Sequence, residues 1–255
     1  MTETLPLTGE RTAPGIWHEN YWFARHEAAY RWITAQWLPD PARTGRVLDA
    51  GCGEGYGAEL LRRAGADSVL GLDYEGTTLR HVAKAYPQIN LVQGNLVQTG
   101  FADGTFDLVV SLQTIEHLWE QPRFVAECAR ILNHTGLLVL STPNRLTFPS
   151  GNWYHTRELT AAEFTDLAEA EAEAEHQLEI VETLGLWHGE ELARWEAQHG
   201  SCVDAQLAED HGTWPDHLVQ RVRQTSYKDF EIRPGDLDDS LDLIVVARPR
   251  TITRS

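Results

Sequence analysis

The segment Val47-Leu-Asp-Ala-Gly-Cys-Gly-Glu-Gly-Tyr-Gly57 constrains this chain more than any other. Arg46 to Ala50 is a short apolar run that carries Asp49 and meets glycines at positions 51, 53, 55 and 57. That pattern predicts a buried parallel strand feeding a tight turn. Glycine lets the backbone approach a ligand closely, and the helix expected next, Glu59 to Ala64, opens with exposed N–H groups. A glycine turn alone is weak evidence, but two neighbours sharpen it. Tyr56 stands where a dinucleotide fingerprint wants its third glycine. Asp49 would repel a pyrophosphate and suits a cationic amine instead.

Beyond the turn, strands and helices alternate. Strands are expected at Val69–Asp73, Asn90–Gln93, Phe106–Ser111 and Gly136–Ser141, with helices at Thr77–Ala85 and Pro122–Leu132. Two later strand candidates are Leu178–Leu184 and Leu241–Ala247. This rhythm predicts an α/β fold with a doubly wound, seven-stranded Rossmann-like sheet. Phe23, Tyr30, Ile33 and Trp37 recur at helical spacing, so residues 1–40 read as an arm plus a lid helix over Asn20 to Trp37, stopped by Pro39 and Pro41. Residues 41–255 form the main domain. Thr156 to Gln177 reads as one Glu/Ala-rich helix with a solvated face. An insertion at 188–239 separates the last two strands where a short connection is usual, and is either a substrate lid or a dimerisation element.

Lys and Arg total 21 against 38 Asp and Glu, a net charge of −17, and no basic cluster tracks a phosphate backbone, so nucleic acid is not an expected partner. No apolar run is long enough to span a bilayer, and the polar start lacks a signal-peptide pattern, so a cytoplasmic protein is expected. Cys52, Cys128 and Cys202 are widely spaced and odd in number, and read as reduced thiols rather than a disulfide or zinc set.

Open α/β sheets bind ligands at the carboxyl ends of their strands. Asp73 ends the second strand twenty residues after Gly53 and is placed to accept a pair of ribose hydroxyls. Asn95 can take an adenine amine and Leu96 can pack on the ring. Glu116 and His117 follow the fourth strand, and His155 follows the fifth; either histidine suits a general base, while His117 can equally shape the pocket. Thr156 is a candidate N-cap for the helix after His155. Tyr21 and Trp22 flank the apolar stripe of the first helix, which favours a ligand-facing role, and His26 is a candidate pocket wall.

Asp49-x-Gly51-x-Gly53, Asp73 and Gln113-Thr-Ile-Glu-His117-Leu together resemble the class I S-adenosylmethionine-dependent methyltransferases over about residues 44 to 145. A closer resemblance spans nearly the whole chain. Leu7-Thr-Gly-Glu-Arg-Thr12, Glu19-Asn-Tyr-Trp-Phe23, Glu54-Gly-Tyr-Gly57, Ile115-Glu-His-Leu-Trp119, Ser141-Thr-Pro-Asn-Arg145, His155-Thr-Arg-Glu-Leu159, His188-Gly and Asp238-Asp-Ser-Leu-Asp-Leu-Ile244 are similar to the actinobacterial 1-O-methyltransferases of methylmannose polysaccharide biosynthesis. The chain departs from that family by a shorter stretch between Arg145 and His155.

The resemblance implies S-adenosylmethionine as methyl donor, a sugar hydroxyl as acceptor, and dependence on a divalent metal such as Mg²⁺. Cofactor contacts are then expected from Asp49, Gly51, Gly53, Tyr56, Asp73, Tyr74, Asn95, Leu96 and Gln113. Acceptor contacts are expected from Tyr21, Trp22, His26, Trp153, Tyr154 and His188, with His155, His117 and Glu116 as catalytic candidates and His155, which belongs to a motif distinctive of that family, as the preferred base. Glu116, His155, His188 and Asp204 are the candidate metal ligands, and a homodimer is one expected assembly. The alternatives are a small-molecule O- or N-methyltransferase of quinone or natural-product tailoring, and a non-catalytic cofactor-binding subunit.

Overall fold

A computed structural model describes residues 12–38, 40, 45–148, 152–170 and 177–250. Eight strands form one sheet: β1 (Arg46–Ala50), β2 (Ser68–Asp73), β3 (Asn90–Gln93), β4 (Phe106–Leu112), β5 (Leu132–Pro143), β6 (Leu178–His188), β7 (Phe230–Arg233) and β8 (Asp242–Pro249). Their order is β3-β2-β1-β4-β5-β8-β6-β7. The first five are parallel, and β8 runs antiparallel to both β5 and β6. The start of β8 and the end of β6 therefore lie at the same edge as the carboxyl ends of the parallel strands. Central strands such as β4 are buried almost throughout, which is why they read as unbroken apolar runs rather than alternating ones.

Helices cover both faces of the sheet. α1 (Asn20–Gln36) and α2 (Tyr56–Arg63) pack on one side through Tyr30, Ile33, Ala58 and Leu61. α3 (Gly76–Ala85) follows β2. α4 (Gln121–Ile131) and α5 (Ala161–Ala170) pack on the other side through Phe124, Cys128, Phe164 and Ala168. Among the described residues, no helix is long and apolar enough to cross a membrane.

Three expectations need correction. The sheet has eight strands rather than seven, because Phe230–Arg233 pairs antiparallel with β6 inside the segment read as an insertion. The helix expected over Thr156 to Gln177 begins only at Ala161. Thr156 spends its hydroxyl on the carbonyls of Glu116 and Leu118 instead of capping a helix, and 171–176 lie outside the described residues. The buried face of α1 is Tyr21, Ala24, Arg25, Ala28, Ala29, Tyr30 and Ile33, so Tyr21 belongs to the core while Phe23 packs edge-on against Tyr56. The stops Pro39 and Pro41 and most of the arm, 1–11, are outside the described residues.

The rest of the insertion is three helices: α6 (Glu190–His199), α7 (Cys202–Ala208) and α8 (Asp216–Gln224). They bury Leu192, Cys202, Val203, Leu218 and Val222 against Tyr21, Ala24 and Ala28 of α1. The insertion thus braces α1 from behind.

Candidate active site

A cavity of about 330 Å³ opens at the carboxyl edge, walled by the glycine turn, the ends of β2 and β4, α1 and the segment around Tyr154. Gly53 adopts φ +47°, and a Cβ there would point into open space, so the backbone itself faces the ligand. Asp73 is 5% exposed. Its carboxylate accepts N–H bonds from Gly53 at 2.9 Å and Glu75 at 2.9 Å, one on each oxygen. Those bonds fix the carboxylate plane at the cavity wall. Tyr74 and Leu96 complete this side of the wall.

Asp49 is fully buried just behind the turn. The Tyr30 hydroxyl donates to its Oδ1 at 2.9 Å, while its buried Oδ2 has no hydrogen-bond partner. Burial pushes this carboxyl up to about 7, against the opposing pull of the Tyr30 bond. Tyr30 is itself held well above its ordinary value by burial and by Asp49, so the phenol is the donor. Gly57 permits the arrangement, since a Cβ there would lie 2.1 Å from the Tyr30 ring. An unpartnered buried carboxylate oxygen is costly unless a ligand supplies the donor. The amino group of a methionine moiety is such a donor, so the donor set fits S-adenosylmethionine.

Gln113 follows β4 with φ +50°, the left-handed region that a non-glycine residue rarely occupies, and lines the cavity. Its N–H donates to the Ser141 carbonyl at 3.1 Å, which holds the turn in place. A short 3₁₀ turn, Ile115–His117, then presents the acceptor side. The His117 Nδ1–H donates to the Tyr154 carbonyl at 3.0 Å, leaving Nε2 as the lone-pair nitrogen of the neutral ring. His117 and Tyr154 both line the cavity, as do Thr12 and His26. Thr12 Oγ1 lies 3.2 Å from His26 Nδ1 and 3.0 Å from the Tyr56 hydroxyl, tying the arm, α1 and α2 together over the cofactor wall.

His155 lies behind His117, with ring centroids 5.0 Å apart and at an angle of 76°. Its Nδ1 is 2.7 Å from Glu158, and Asn152 donates to its Nε2 at 3.2 Å. It does not reach the cavity wall. Glu116 is 1% exposed, and burial pushes its carboxyl up to about 8. Thr142 donates to it at 3.3 Å. Nearby, Asp242 receives both Nε and Nη2 of buried Arg25 from α1.

The expected metal ligands are only partly assembled. Glu116, His117 and His155 offer ligand atoms that all lie within 4.8 Å of one another. His188 is elsewhere, its Nε2 2.6 Å from the Tyr21 hydroxyl and its Nδ1 2.8 Å from Glu196. Asp204 is an exposed residue of α7. Mg²⁺ is held through carboxylate and water oxygens, whereas here a single carboxyl stands beside two imidazoles, donors that suit a softer ion. The residues present do not fit a magnesium ion.

Of the expected contacts, Gly51, Gly53, Tyr56, Asp73, Tyr74, Leu96, Gln113, His26, His117 and Tyr154 stand in the cavity wall, with Asp49 directly behind it. Asn95 is exposed and accepts the Val97 N–H at 3.1 Å, so it is not part of the wall. Tyr21 and His188 are spent in the core beneath α1, and Trp22 is half-buried there beneath the Arg25 guanidinium. Trp153 projects outward, 98% exposed. Sequence reasoning missed Tyr30 as the partner of Asp49, having taken it for a core residue. Its one signal was Gly57, a glycine within the first turn of a helix. Thr114, Glu54 and Leu118 also line the cavity without having been singled out.

The methyltransferase-domain family model matches residues 48–140. A protein of Mycolicibacterium smegmatis, described as a "probable S-adenosylmethionine-dependent methyltransferase", is 44% identical over 258 residues, covering 97% of this chain and 96% of its own. A Mycobacterium tuberculosis protein of the same description is 44% identical over 256 residues, covering 95% of this chain and 89% of its own. Among solved structures, a SAM-dependent methyltransferase from Thermotoga maritima superposes with a TM-score of 0.60 at 15% identity, over 92% of each chain, which speaks to the fold alone. With relatives this similar along almost their full length, the chain belongs to the class I S-adenosylmethionine-dependent methyltransferases.

Proposed function

We propose that this enzyme is an O-methyltransferase acting on a sugar hydroxyl, the 1-OH of a 3-O-methylated mannoside in methylmannose polysaccharide biosynthesis. The observation that carries the O-methylation is His117. It lines the cavity on the acceptor side, and its Nδ1–H is committed to the Tyr154 carbonyl, so the ring offers Nε2 as a base. A sugar hydroxyl is a poor nucleophile at neutral pH and gains from a base positioned in this way. The sugar itself is supported by the motifs shared with the mannoside 1-O-methyltransferases over both ends of the chain. A net charge of −17 also favours a neutral acceptor over an anionic one.

Asp49 would hold the amino group of the cofactor, Asp73 the ribose hydroxyls, and Leu96 a face of the adenine. Bound there, S-adenosylmethionine supplies a methyl carbon activated by its sulfonium. Gln113 and Thr114 floor the site between the turn and the acceptor side. His117 would align the acceptor oxygen and take its proton as the C–O bond forms and the methyl carbon's bond to sulfur breaks, leaving S-adenosylhomocysteine, while Thr12, His26 and Tyr154 limit access of water. Positioning supplies much of the acceleration, because the carbon is already activated.

The test is a mass-spectrometric assay with S-adenosylmethionine and short 3-O-methylated mannosides, run with Mg²⁺ and with EDTA. One added methyl group is expected in both. Product that disappears under EDTA would restore a metal to the reaction. No product from an enzyme that binds the cofactor would overturn the sugar.

A further inference from the structure

The donors that fail magnesium suit another ion. One ligand atom each from Glu116, His117 and His155 lies within 4.8 Å of the other two. Their surroundings are those of metal-binding histidines. Such a ring gives the N–H of one nitrogen to a carboxylate or a carbonyl, which fixes the tautomer and leaves the other nitrogen's lone pair for the ion. His155 Nδ1 stands 2.7 Å from the Glu158 carboxylate, and His117 Nδ1 stands 3.0 Å from the Tyr154 carbonyl. Both rings therefore carry the proton on Nδ1 and the lone pair on Nε2. Glu116, 1% exposed, adds a carboxyl as the third donor.

The two segments that carry these donors are pinned to each other. The Thr156 N–H donates to the Glu116 carbonyl at 2.7 Å, and its hydroxyl to the Leu118 carbonyl at 2.7 Å. Phe148 packs on His155, ring centroids 5.2 Å apart, and gives the site an apolar neighbour. His117 lines the cavity, which supplies the path of entry. The Asn152 amide donates to His155 Nε2 at 3.2 Å, a long bond that an ion would replace. Bonds of about 2.0–2.2 Å to a tetrahedral centre hold ligand atoms roughly 3.3–3.6 Å apart, so a pair at the outer limit closes by about 1 Å through side-chain rotation. Two imidazoles, one carboxylate and an open fourth position make the donor set of a tetrahedral Zn²⁺ site, and imidazole favours Zn²⁺ over Mg²⁺.

We propose that Glu116, His117 and His155 bind a transition-metal dication of the Zn²⁺ class, and that the ion inhibits methyl transfer by taking the lone pair with which His117 deprotonates the acceptor. The inhibition rests on His117 being the base; the binding does not. Calorimetric titration of the metal-free full chain with ZnCl₂ reads the site without any acceptor. The parent should bind one Zn²⁺ that excess MgCl₂ does not displace, and Co²⁺ in its place should show the visible absorption of a low-coordinate ion. Glu158→Ala touches no ligand, yet should weaken Zn²⁺ by about 10- to 100-fold, and His155→Ala by at least as much. S-adenosylmethionine affinity that stays level shows that the variants are folded, and the shape-keeping Glu116→Gln replaces any that is not. With saturating Zn²⁺, methyl transfer should fall by about 10²-fold or more and return with EDTA.

A parent that binds no Zn²⁺ would overturn the proposal. So would binding that survives the variants, which would put the ion elsewhere, as at the stacked rings of His199 and His217. Undiminished transfer at saturating Zn²⁺ would overturn the inhibition. Zn²⁺ binding with the expected losses in the variants, by an enzyme that methylates no mannoside, would sink the sugar reading and support the metal site.

Discussion

The cofactor wall rests mainly on one continuous βαβ stretch, Asp49 to Tyr74, with Leu96 added from beyond β3, whereas the acceptor wall gathers Thr12, His26, His117, Leu118 and Tyr154 from four distant segments. On the first wall the contacts are backbone: a glycine turn, and a carboxylate held by the N–H groups of Gly53 and Glu75. On the second they are side chains placed by tertiary packing, with α1 braced by the insertion and Thr156 stitching two loops together. A site built from local backbone geometry can be carried by a short motif and reused for any acceptor. A site built from long-range packing is particular to one sequence, so specificity is expected to reside on that side.

If that division is right, the walls should fail separately. The largest effect is expected on the acceptor side. His117→Ala should lower kcat by about 10²- to 10⁴-fold, the usual contribution of a positioned base, while S-adenosylmethionine affinity by calorimetry stays nearly level. His155→Ala should be milder, since that ring lies behind His117. An inverted ranking of the two variants would move the base to His155 and break the comparison.

The next effect is on the cofactor wall and is read through pH. Burial holds the Asp49 carboxyl at about 7, so below that pH the fold keeps it protonated. A cationic amine binds the ionised form, so binding must expel a proton there. Affinity should fall about tenfold per pH unit below about 7 and level off above it. By the same linkage, ionising Asp49 in the free protein costs stability as pH rises from the ordinary carboxylate range towards about 7. Calorimetry in buffers of different ionisation enthalpy would show the released proton. Cofactor affinity unchanged between acid and neutral pH would remove the amine from Asp49. Asp73→Ala follows, with a rise in cofactor Kd of about tenfold, or about 1.4 kcal/mol, and little change in acceptor KM.

The same contrast explains what the sequence disclosed. Asp49, Gly51, Gly53 and Asp73 were legible because periodicity and spacing are local, and β3 was placed at its full length. Glu116, His117 and His155 were legible as neighbours of one edge, but the sequence favours His155 as the base, whereas His117 is the one that lines the cavity. Only the bond from Nδ1 to the Tyr154 carbonyl, spanning 37 positions, puts His117 at the cavity and His155 behind it. Tyr21 misled because a tyrosine beside the apolar stripe looks ligand-facing, and its burial depends on insertion helices whose docking no period encodes. Phe230–Arg233 alternates apolar and charged residues as a half-buried strand does, but four residues inside a segment read as an insertion are too short a run to set a strand there.

The smallest effect is the most discriminating, because Tyr30 belongs to both walls: it sits on the packed helix α1 yet donates to Asp49. Tyr30→Phe keeps the ring that fills the space beside Gly57 and removes only the hydroxyl. Asp49 would then lose the donor on Oδ1 while Oδ2 is already without one, so its carboxyl should move higher still. A lost hydrogen bond to a buried group costs about 1 kcal/mol, which is about fivefold in cofactor Kd at neutral pH. Since the bond acts through Asp49, the effect should vanish in an Asp49→Asn background, a non-additivity that calorimetry on the four proteins of the cycle measures. Additive losses would mean that Tyr30 serves the cofactor only by packing α1, and the boundary between the two walls would then have to be drawn on the other side of that helix.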